Sequence, residues 1–228
     1  MNFALALLLA AAPLATAAAQ TADPGEDARN AKLAEAVTAI QSKEPQKALA
    51  VLDPLLADYA SLYAGEKRTM LCDTARAETA AYAQLPGGSA ARLVDSGWCI
   101  ALWAKGFALI DVDKLDEAVP YLERAAALSP LHAHYLSELG YAYQSQKKWQ
   151  VSYDTYAKAA DAAKRQDLEQ RKKSLRRAWF GMAYNLVELG RYDEAEALFN
   201  KCLELVPGDE AVLAELAYLK EQRAKPRS

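Results

Sequence analysis

The feature that most limits the folds open to this chain is a pattern of small and large apolar residues that recurs at a fixed interval. Two copies share the order small, large, small, proline at intervals of 4, 3 and 5 residues: Ala118, Leu122, Ala125 and Pro130, then Ala195, Phe199, Cys202 and Pro207. A looser copy between them consists of Ser152, Tyr156 and Ala159, with Lys164 in place of the proline. A small residue lies twelve positions before each copy: Gly106, Gly140 and Ala183. Intervals of 3 and 4 place residues on one stripe of a helix, so the pattern predicts helix pairs that cross closely at the small residues.

This pattern resembles the tetratricopeptide repeat, a 34-residue helix–turn–helix unit. In chain order, the copies that start at Ala118 and Ser152 lie 34 residues apart, and the copy that starts at Ala195 follows after 43. The segments KLDEAVPYLERAAALSP and RYDEAEALFNKCLELVP are similar to the second helix of the repeat and its exit, where proline stops the helix. An unrelated helical bundle would share the amphipathic spacing alone. The resemblance implies an all-α fold, a right-handed superhelical solenoid of antiparallel helix pairs.

The rest of the chain divides around these repeats. The expected segments are a signal peptide (1–19), a disordered stretch (20–28), degenerate repeat-like helices (29–97), three repeats (98–132, 133–166 and 167–209, the last with an extended first helix), a capping helix with a polar outer face (210–224) and a disordered end (225–228).

Local signals add detail to these segments. We expect a long helix over 64–85, then a break at 86–88 and a short helix capped by Ser89. Pro45 suits the start of a helix, whereas Pro54 should bend or shorten one. The nine additional residues before the third copy contain no proline or glycine, so they predict two lengthened helices. A capping box of Asp167 and Gln170 would start the second of them.

The first twenty residues, MNFALALLLAAAPLATAAAQ, have the pattern of a secretory signal peptide. An apolar run over 3–12 is too short to span a bilayer, and small residues precede a cleavage point before Gln20. No Lys or Arg precedes the run, and a retained anchor or an apolar first helix is the alternative. No later run has membrane length, so no transmembrane span is expected in the mature chain. The pattern favours an exported protein, periplasmic in a bacterium.

Composition and charge argue against a nucleic-acid-binding protein. The chain is 52% apolar with a net charge of −3, which gives no electrostatic footprint for nucleic acid. One basic run stands out: Arg171, Lys172, Lys173, Arg176 and Arg177. It could meet a phosphate or a membrane, but a solvated helix face balanced by nearby carboxylates is the favoured interpretation.

The cysteines and histidines give no catalytic or metal motif. If the chain is exported, a disulfide between Cys72 and Cys99 would join neighbouring helices, with two buried thiols as an equal alternative. Cys202 occupies a small position of the repeat and is expected in the core. His132 and His134 are two residues apart and would diverge on a helix. No phosphate-binding loop or catalytic constellation is present, so we expect no enzyme activity and no cofactor.

The resemblance also implies where function lies, because the first helices of such repeats line a concave groove that binds segments of other proteins. Carried over, the groove residues are Trp103, Phe107, Ile110, Tyr141, Gln144, Arg177, Phe180 and Tyr184. The lysine–asparagine clamp that some family members use for a carboxylate is absent, since Trp103, Phe107 and Ser137 occupy its places. The groove is therefore expected to be aromatic. Alternatively, Trp103 and Phe180 pack against neighbouring first helices or lie beneath the amino-terminal segment.

Two hypotheses follow for the function. The first is a non-enzymatic, exported scaffold or adaptor that binds a partner protein or peptide through the aromatic groove. The second is a self-associating structural protein of the cell envelope, such as a homodimer.

Overall fold

The computed structural model describes residues 25–224, and these residues form ten α-helices with one small β-sheet. The elements are α1 (Glu26–Gln41), α2 (Pro45–Leu62), β1 (Met70–Cys72), α3 (Arg76–Ala81), two 3₁₀ helices (Tyr82–Gln84 and Gly88–Ala90), β2 (Arg92–Val94), α4 (Ser96–Asp111), α5 (Leu115–Leu128), α6 (Ala133–Ser145), α7 (Trp149–Ala163), α8 (Leu168–Glu188), α9 (Tyr192–Leu205) and α10 (Glu210–Ala224). The predicted signal peptide (1–19), residues 20–24 of the predicted disordered stretch and the predicted disordered end at 225–228 lie outside the described residues. Helix α1 begins at Glu26, inside the stretch expected to be disordered.

The helices pack as successive pairs. Helices α1 and α2, α4 and α5, α6 and α7, and α8 and α9 pack within pairs, and the second helix of each pair contacts the first helix of the next. Helix α10 packs on the last pair. The prediction of an all-α, repeat-type solenoid is confirmed, and the three recognised repeats correspond to the last three pairs.

Small residues lie where the helices of a pair approach most closely. A Cβ atom on Gly106 would lie 2.6 Å from Cγ of Leu122, and one on Gly140 would lie 3.0 Å from the ring of Tyr156. Ala183 has no exposed surface. The recurring small residues therefore have the packing role that the sequence pattern predicts.

The prolines of the first pair have different effects. Pro45 is the first residue of α2, where its missing N–H leaves no hydrogen bond unmade, as expected. Pro54 lies inside α2, which continues to Leu62. The expected shortening at Pro54 is therefore wrong.

The segment between α2 and α4, residues 63–95 and here called the insertion, corrects the sequence analysis. The long helix expected over 64–85 is absent; a loop, β1, α3 and a 3₁₀ helix occupy these positions. Strand β1 pairs in parallel with β2, with Met70 opposite Arg92. Tertiary contacts override helix propensity here, because Leu71 packs into a small cluster of its own with Tyr82 and Leu131. The expected break at 86–88 does contain a residue in the left-handed conformation, Gly87 with φ of 72°, but Ser89 lies inside the following 3₁₀ helix and does not cap it.

A disulfide between Cys72 and Cys99 ties the insertion to α4. The two Cα atoms are 6.4 Å apart, and both side chains are fully buried. Ser129 Oγ donates a hydrogen bond to Cys99 Sγ at 3.2 Å. Cys72 was expected on a helix but lies on β1, so the bond joins a strand to a first helix. Cys202 is the free cysteine of the described residues and is buried, in the core position predicted for it.

Helix α8 is longer than the first helices of the preceding repeats. It spans 21 residues, compared with 16 for α4 and 13 for α6. The Asp167 side chain accepts a hydrogen bond from the Gln170 backbone N–H at 3.0 Å, so this cap begins the helix as predicted. Helix α7, with 15 residues, is no longer than an ordinary second helix such as α5, with 14, so only one of the two expected extensions is present.

The outer face of α10 is less polar than expected. Leu213 and Tyr218 remain 48% and 46% exposed, whereas Val212 and Leu219 are buried against the last pair. The stack therefore ends in a helix that carries apolar groups on both faces.

Candidate partner-binding face

The first helices lie side by side and form one face of the solenoid, here called the first-helix face. Helix α4 contacts α6, α6 contacts α8, and α8 contacts α10. The eight residues predicted to line a groove all retain exposed surface: Trp103, Phe107, Ile110, Tyr141, Gln144, Arg177, Phe180 and Tyr184. Tyr141 is the most open aromatic among them, with 43% of its surface exposed.

The amino-terminal part of this face is an aromatic cluster around Trp103. The Trp103 ring lies 5.8 Å from Phe107, 5.1 Å from His134 and 6.4 Å from Tyr135, measured between ring centroids. The Trp103 indole N–H makes no hydrogen bond to the described residues, although the nitrogen itself is covered. The cluster thus presents apolar surface and encloses a hydrogen-bond donor that lacks an acceptor.

A buried carboxylate forms the centre of the face. The Glu138 side chain is only 5% exposed and accepts an ion-pair contact from Arg177 Nη2 at 2.9 Å. His134 Nε2 lies 3.7 Å from the same carboxylate. Burial lowers the pKa of His134; Glu138 opposes this effect and Arg177 adds to it. The Arg177 guanidinium, which is always charged, therefore provides the counter-charge for Glu138.

The carboxyl-terminal part of the face differs from the aromatic groove that the sequence analysis predicts, because its aromatic side chains do not form one row with the Trp103 cluster. The Phe180 ring packs edge-to-face on Phe199 at 5.6 Å, so it belongs partly to the core of the third repeat. The ring centroid of Tyr184 lies 6.4 Å from that of Trp149. Burial and nearby carboxylates raise the pKa of Tyr184. Among residues 25–224, no close ring pair joins the Trp103 cluster to these downstream aromatics. Phe180 therefore packs on the second helix of its own pair, which differs from the alternative of packing against a neighbouring first helix.

The two remaining predicted residues lie between these clusters. Ile110 packs against the core of the second repeat. The side-chain oxygen of Gln144 is covered but accepts no hydrogen bond from the described residues. The face therefore holds a donor on Trp103 and an acceptor on Gln144 that are both unsatisfied by the protein around them.

Glu138 was missed by the sequence analysis, although a signal for it exists. It is the one charged residue within the helical segment YLSELGYAY. A carboxylate in such a segment is either solvated or paired, and Arg177 lies 39 positions away in sequence, beyond the reach of spacing arguments.

The histidines near this face have structural roles. His132 caps α6, because its Nδ1 accepts a hydrogen bond from the Tyr135 backbone N–H at 3.4 Å. Burial lowers the pKa of His132 to about 4, which keeps this nitrogen unprotonated and able to accept. Within the described residues, no three His, Cys, Asp or Glu side chains converge as a metal site would require. No helix of 25–224 combines the length and apolar content needed to cross a bilayer.

Comparisons with known proteins agree with this architecture. Residues 131–208 match the family model of the tetratricopeptide repeat. The fold is similar to that of PilF from Pseudomonas aeruginosa, with a TM-score of 0.61 and 15% identity over 88% of this chain and 71% of that one. It is also similar to MamA of MSR-1, with a TM-score of 0.56 and 18% identity over 86% and 87% of the two chains.

A peptide complex is among the similar structures. The first tetratricopeptide domain of Spaghetti (RPAP3), bound to the HSP90 peptide SRMEEVD, has a TM-score of 0.51 and 22% identity. The likeness covers 58% of this chain and 98% of that one. No curated protein matches the sequence. Residues 131–208 therefore contain tetratricopeptide repeats, and the stacked helix pairs around them have a fold similar to that of such proteins.

Proposed function

We propose that the protein is a non-catalytic scaffold or adaptor, exported from the cell, that binds a segment of a partner protein on the first-helix face. The observation that carries this proposal is the Trp103 cluster with its unpartnered indole N–H beside the Glu138–Arg177 pair. A solved structure of similar fold holds a peptide, which supports a binding role of this kind.

The chemistry of the face suits an amphipathic peptide segment. Trp103, Phe107 and the exposed Tyr141 offer rigid aromatic surface, which orders with little loss of side-chain entropy when a partner binds. The Trp103 N–H and the Gln144 oxygen lie covered beneath this surface without a partner, and a peptide backbone carries both complementary groups. A bound segment that turns these two side chains outward would satisfy polar atoms that the free protein leaves without partners.

A scaffold role also fits what the titratable residues of the face do. His132 caps a helix, and Glu138 is held by Arg177 as an ion pair between two repeats. Each group thus has a structural task, which supports a binding surface more than a reaction centre.

Export is supported by two features of the chain. The first nineteen residues have the composition of a signal peptide, and the Cys72–Cys99 disulfide suits an oxidising compartment such as the periplasm. Amino-terminal sequencing of the protein from its native cells tests this part of the proposal. We expect a mature chain that begins at Gln20, and an intact Met1 in the cytosolic fraction would contradict export.

The binding face is tested with a double substitution that removes its ligand groups but keeps its packing. Trp103→Phe deletes the indole N–H and Tyr141→Ala removes exposed aromatic surface. If these groups are hot spots, recovery of partners from an envelope extract should fall about tenfold or more relative to the unaltered protein. Quantitative mass spectrometry of the captured proteins measures this change.

The matched control lies on the second-helix side of the same repeats. Tyr153→Phe with Val151→Ala changes similar chemical groups on α7, and partner recovery should stay unchanged. Equal recovery by the face variant and the control would remove the assignment of the first-helix face. Circular dichroism confirms that both variants keep their helices.

Self-association is the second candidate, and the exposed apolar groups of α10 favour it. Leu213 and Tyr218 lie on the last helix of the stack and remain exposed, at a position that the helices of a further repeat would otherwise cover. Light scattering at several concentrations separates the two functions. A stable dimer that is abolished by Leu213→Glu would favour self-association, whereas a monomer at all concentrations favours the adaptor.

A further inference from the structure

A basic cavity lies at the amino-terminal end of α8, at the edge of the first-helix face, with which it shares Arg177. It has a volume of about 640 Å³ and is lined by Glu169, Lys172, Lys173, Arg176 and Arg177 of α8 together with Leu205 and Val206 at the end of α9. We call this surface the basic ledge. Four of its seven lining residues are cations, on a chain whose net charge is −3.

The ledge exists because α8 starts earlier than the first helices of the other repeats. The additional turns, residues 168–175, precede the repeat pattern that begins the third helix pair, and they line one cavity with the end of α9. Arg176 fixes this arrangement, since its Nε and Nη2 contact the two carboxylate oxygens of Asp209 at 2.7 and 2.9 Å. Asp209 also accepts a hydrogen bond from the Val212 backbone N–H at the start of α10. The bidentate pair therefore holds α8 against the turn between α9 and α10.

The four cations differ in how far the protein itself satisfies them. Arg176 is bound to Asp209, and Arg177 to Glu138. Lys172 contacts only Glu169, at 3.3 Å and with a carboxylate that is 75% exposed, and such exposed pairs are weak. Lys173 is exposed and has no carboxylate partner within residues 25–224. The two lysines are thus the cations that remain available to a ligand.

An apolar floor accompanies these charges. Leu205 and Val206 lie at the end of α9, and Val206 remains 42% exposed in the cavity that the cationic side chains also line. An apolar group beside available ammonium groups, within a concave surface, matches a peptide that carries both carboxylates and an aliphatic side chain. A membrane surface would instead need a flat or protruding face, and it would leave the floor of the cavity uncovered.

We propose that the basic ledge is a second binding site, which takes an acidic peptide segment of a partner protein that also carries an aliphatic residue. Carboxylates of the segment contact Lys172 and Lys173, and its aliphatic side chain covers Val206. Arg176 and Arg177 position the ledge and add long-range attraction. The two lysines themselves are not part of the first-helix face, because they precede the repeat positions that form that face, although the ledge shares Arg177 with it.

A short synthetic peptide tests the ledge directly on the full mature chain. The probe is fluorescein-labelled Glu-Glu-Leu-Glu-Glu-Leu, titrated at low salt and followed by fluorescence anisotropy, with the glutamine analogue Gln-Gln-Leu-Gln-Gln-Leu beside it. We expect binding of the acidic peptide that weakens as salt is added, because exposed charges are screened, and no measurable binding of the analogue. Lys172→Gln with Lys173→Gln should weaken binding about fivefold to tenfold.

Two further variants keep the result specific to the ledge. Lys43→Gln with Lys47→Gln removes the same charge from exposed positions in the turn before α2 and in the first turn of α2, and should leave the affinity unchanged. Glu169→Gln releases Lys172 from its only carboxylate partner and should tighten binding about twofold to threefold. A gain of affinity cannot come from unfolding, so this variant supports the site even if the double lysine variant is unstable.

Several results would overturn the proposal. These are failure of the acidic peptide to bind, equal losses for the ledge and control lysine pairs, and equal binding of the glutamine analogue. Vesicles of phosphatidylglycerol and phosphatidylcholine in equal parts provide the last comparison. Lysine-dependent binding to these vesicles without binding of the peptide would assign the ledge to anionic membranes instead.

Discussion

Replacing both Cys72 and Cys99 by alanine is expected to lower the free energy of unfolding by about 3–4 kcal/mol. The bond closes a loop across a sequence separation of 27 residues, so its loss restores much conformational freedom to the unfolded chain. Apart from the disulfide, Val94 anchors the insertion in the main core, and the Tyr59 hydroxyl donates a hydrogen bond to the Asp95 carboxylate at 3.0 Å. The insertion's own cluster consists of Leu71, Tyr82 and Leu131 with a few partly buried neighbours, and its sheet has two strands of three residues each.

Urea denaturation followed by circular dichroism measures the overall loss, and limited trypsin digestion measures where it occurs. The insertion carries exposed cleavage sites at Lys67, Arg68, Arg76 and Arg92. Cleavage at these sites should accelerate about 10- to 100-fold in the double variant, while the helix pairs stay resistant. Cys202→Ala is the control, because it removes a buried thiol without opening the loop, and reductant should still destabilise this variant. Unchanged stability and an unchanged cleavage pattern in the double variant would contradict this role of the disulfide.

The repeats could be predicted from the sequence because their information is local and periodic. The residue twelve positions before each copy, such as Gly106 or Gly140, lies at a helix crossing, and the partner at that crossing lies within the same repeat. Spacing alone therefore fixes which side chains meet. The cap at Asp167 was predictable for the same reason, since its acceptor and its donor are three residues apart.

The insertion could not be predicted because its contacts are made at a distance. The segment around Met70 and Cys72 has no helix-breaking residue, so its local preference is helical. Strand β1 forms because Met70 pairs with Arg92 and Cys72 bonds to Cys99, both more than twenty residues away. A single sequence gives no sign of which distant residues will meet.

In the candidate site, too, the features set by local spacing could be predicted and the contacts made at a distance in sequence could not. Family positions indicated which residues reach the first-helix face, and each of them retains exposed surface. They did not indicate that Phe180 turns towards Phe199, or that Arg177 is already paired with Glu138. Those details depend on side-chain contacts between helices, which a single repeat pattern does not specify. The double variant Trp103→Phe with Tyr141→Ala tests the binding role of this face by its recovery of partner proteins.

The contact between the second and third repeats provides the other large expected effect. Tyr156 of α7 is almost fully buried, with its ring between two glycines of different repeats. A Cβ atom on Gly140 would lie 3.0 Å from this ring, and one on Gly181 would lie 2.4 Å from it. The second of these was not singled out by the repeat pattern, which placed the small residue at Ala183. The ring therefore joins the two repeats and fills space that the smaller side chains leave.

Gly181→Val is expected to lower the free energy of unfolding by about 3 kcal/mol, near the upper end for overpacked sites. The ring of Tyr156 cannot retreat from a new side chain, because Gly140 closes its other side. Valine also has only a modest helix preference, so it offsets little of this cost. Urea denaturation of the variant beside the unaltered protein measures the change.

A graded series distinguishes this clash from a general effect of replacing glycine in a helix. Alanine is a better helix former than glycine by about 1 kcal/mol, so Gly140→Ala, with the milder contact, should change stability by less than about 1 kcal/mol. Gly181→Ala meets the ring at 2.4 Å and should remain destabilising by about 2 kcal/mol despite that gain. Introduced into a Tyr156→Leu background, Gly181→Ala should become less costly by at least about 1 kcal/mol, because the ring that it meets is gone. An equal cost in both backgrounds would show that Tyr156 does not set the spacing between these repeats, and the lengthened α8 would then need another support for its position.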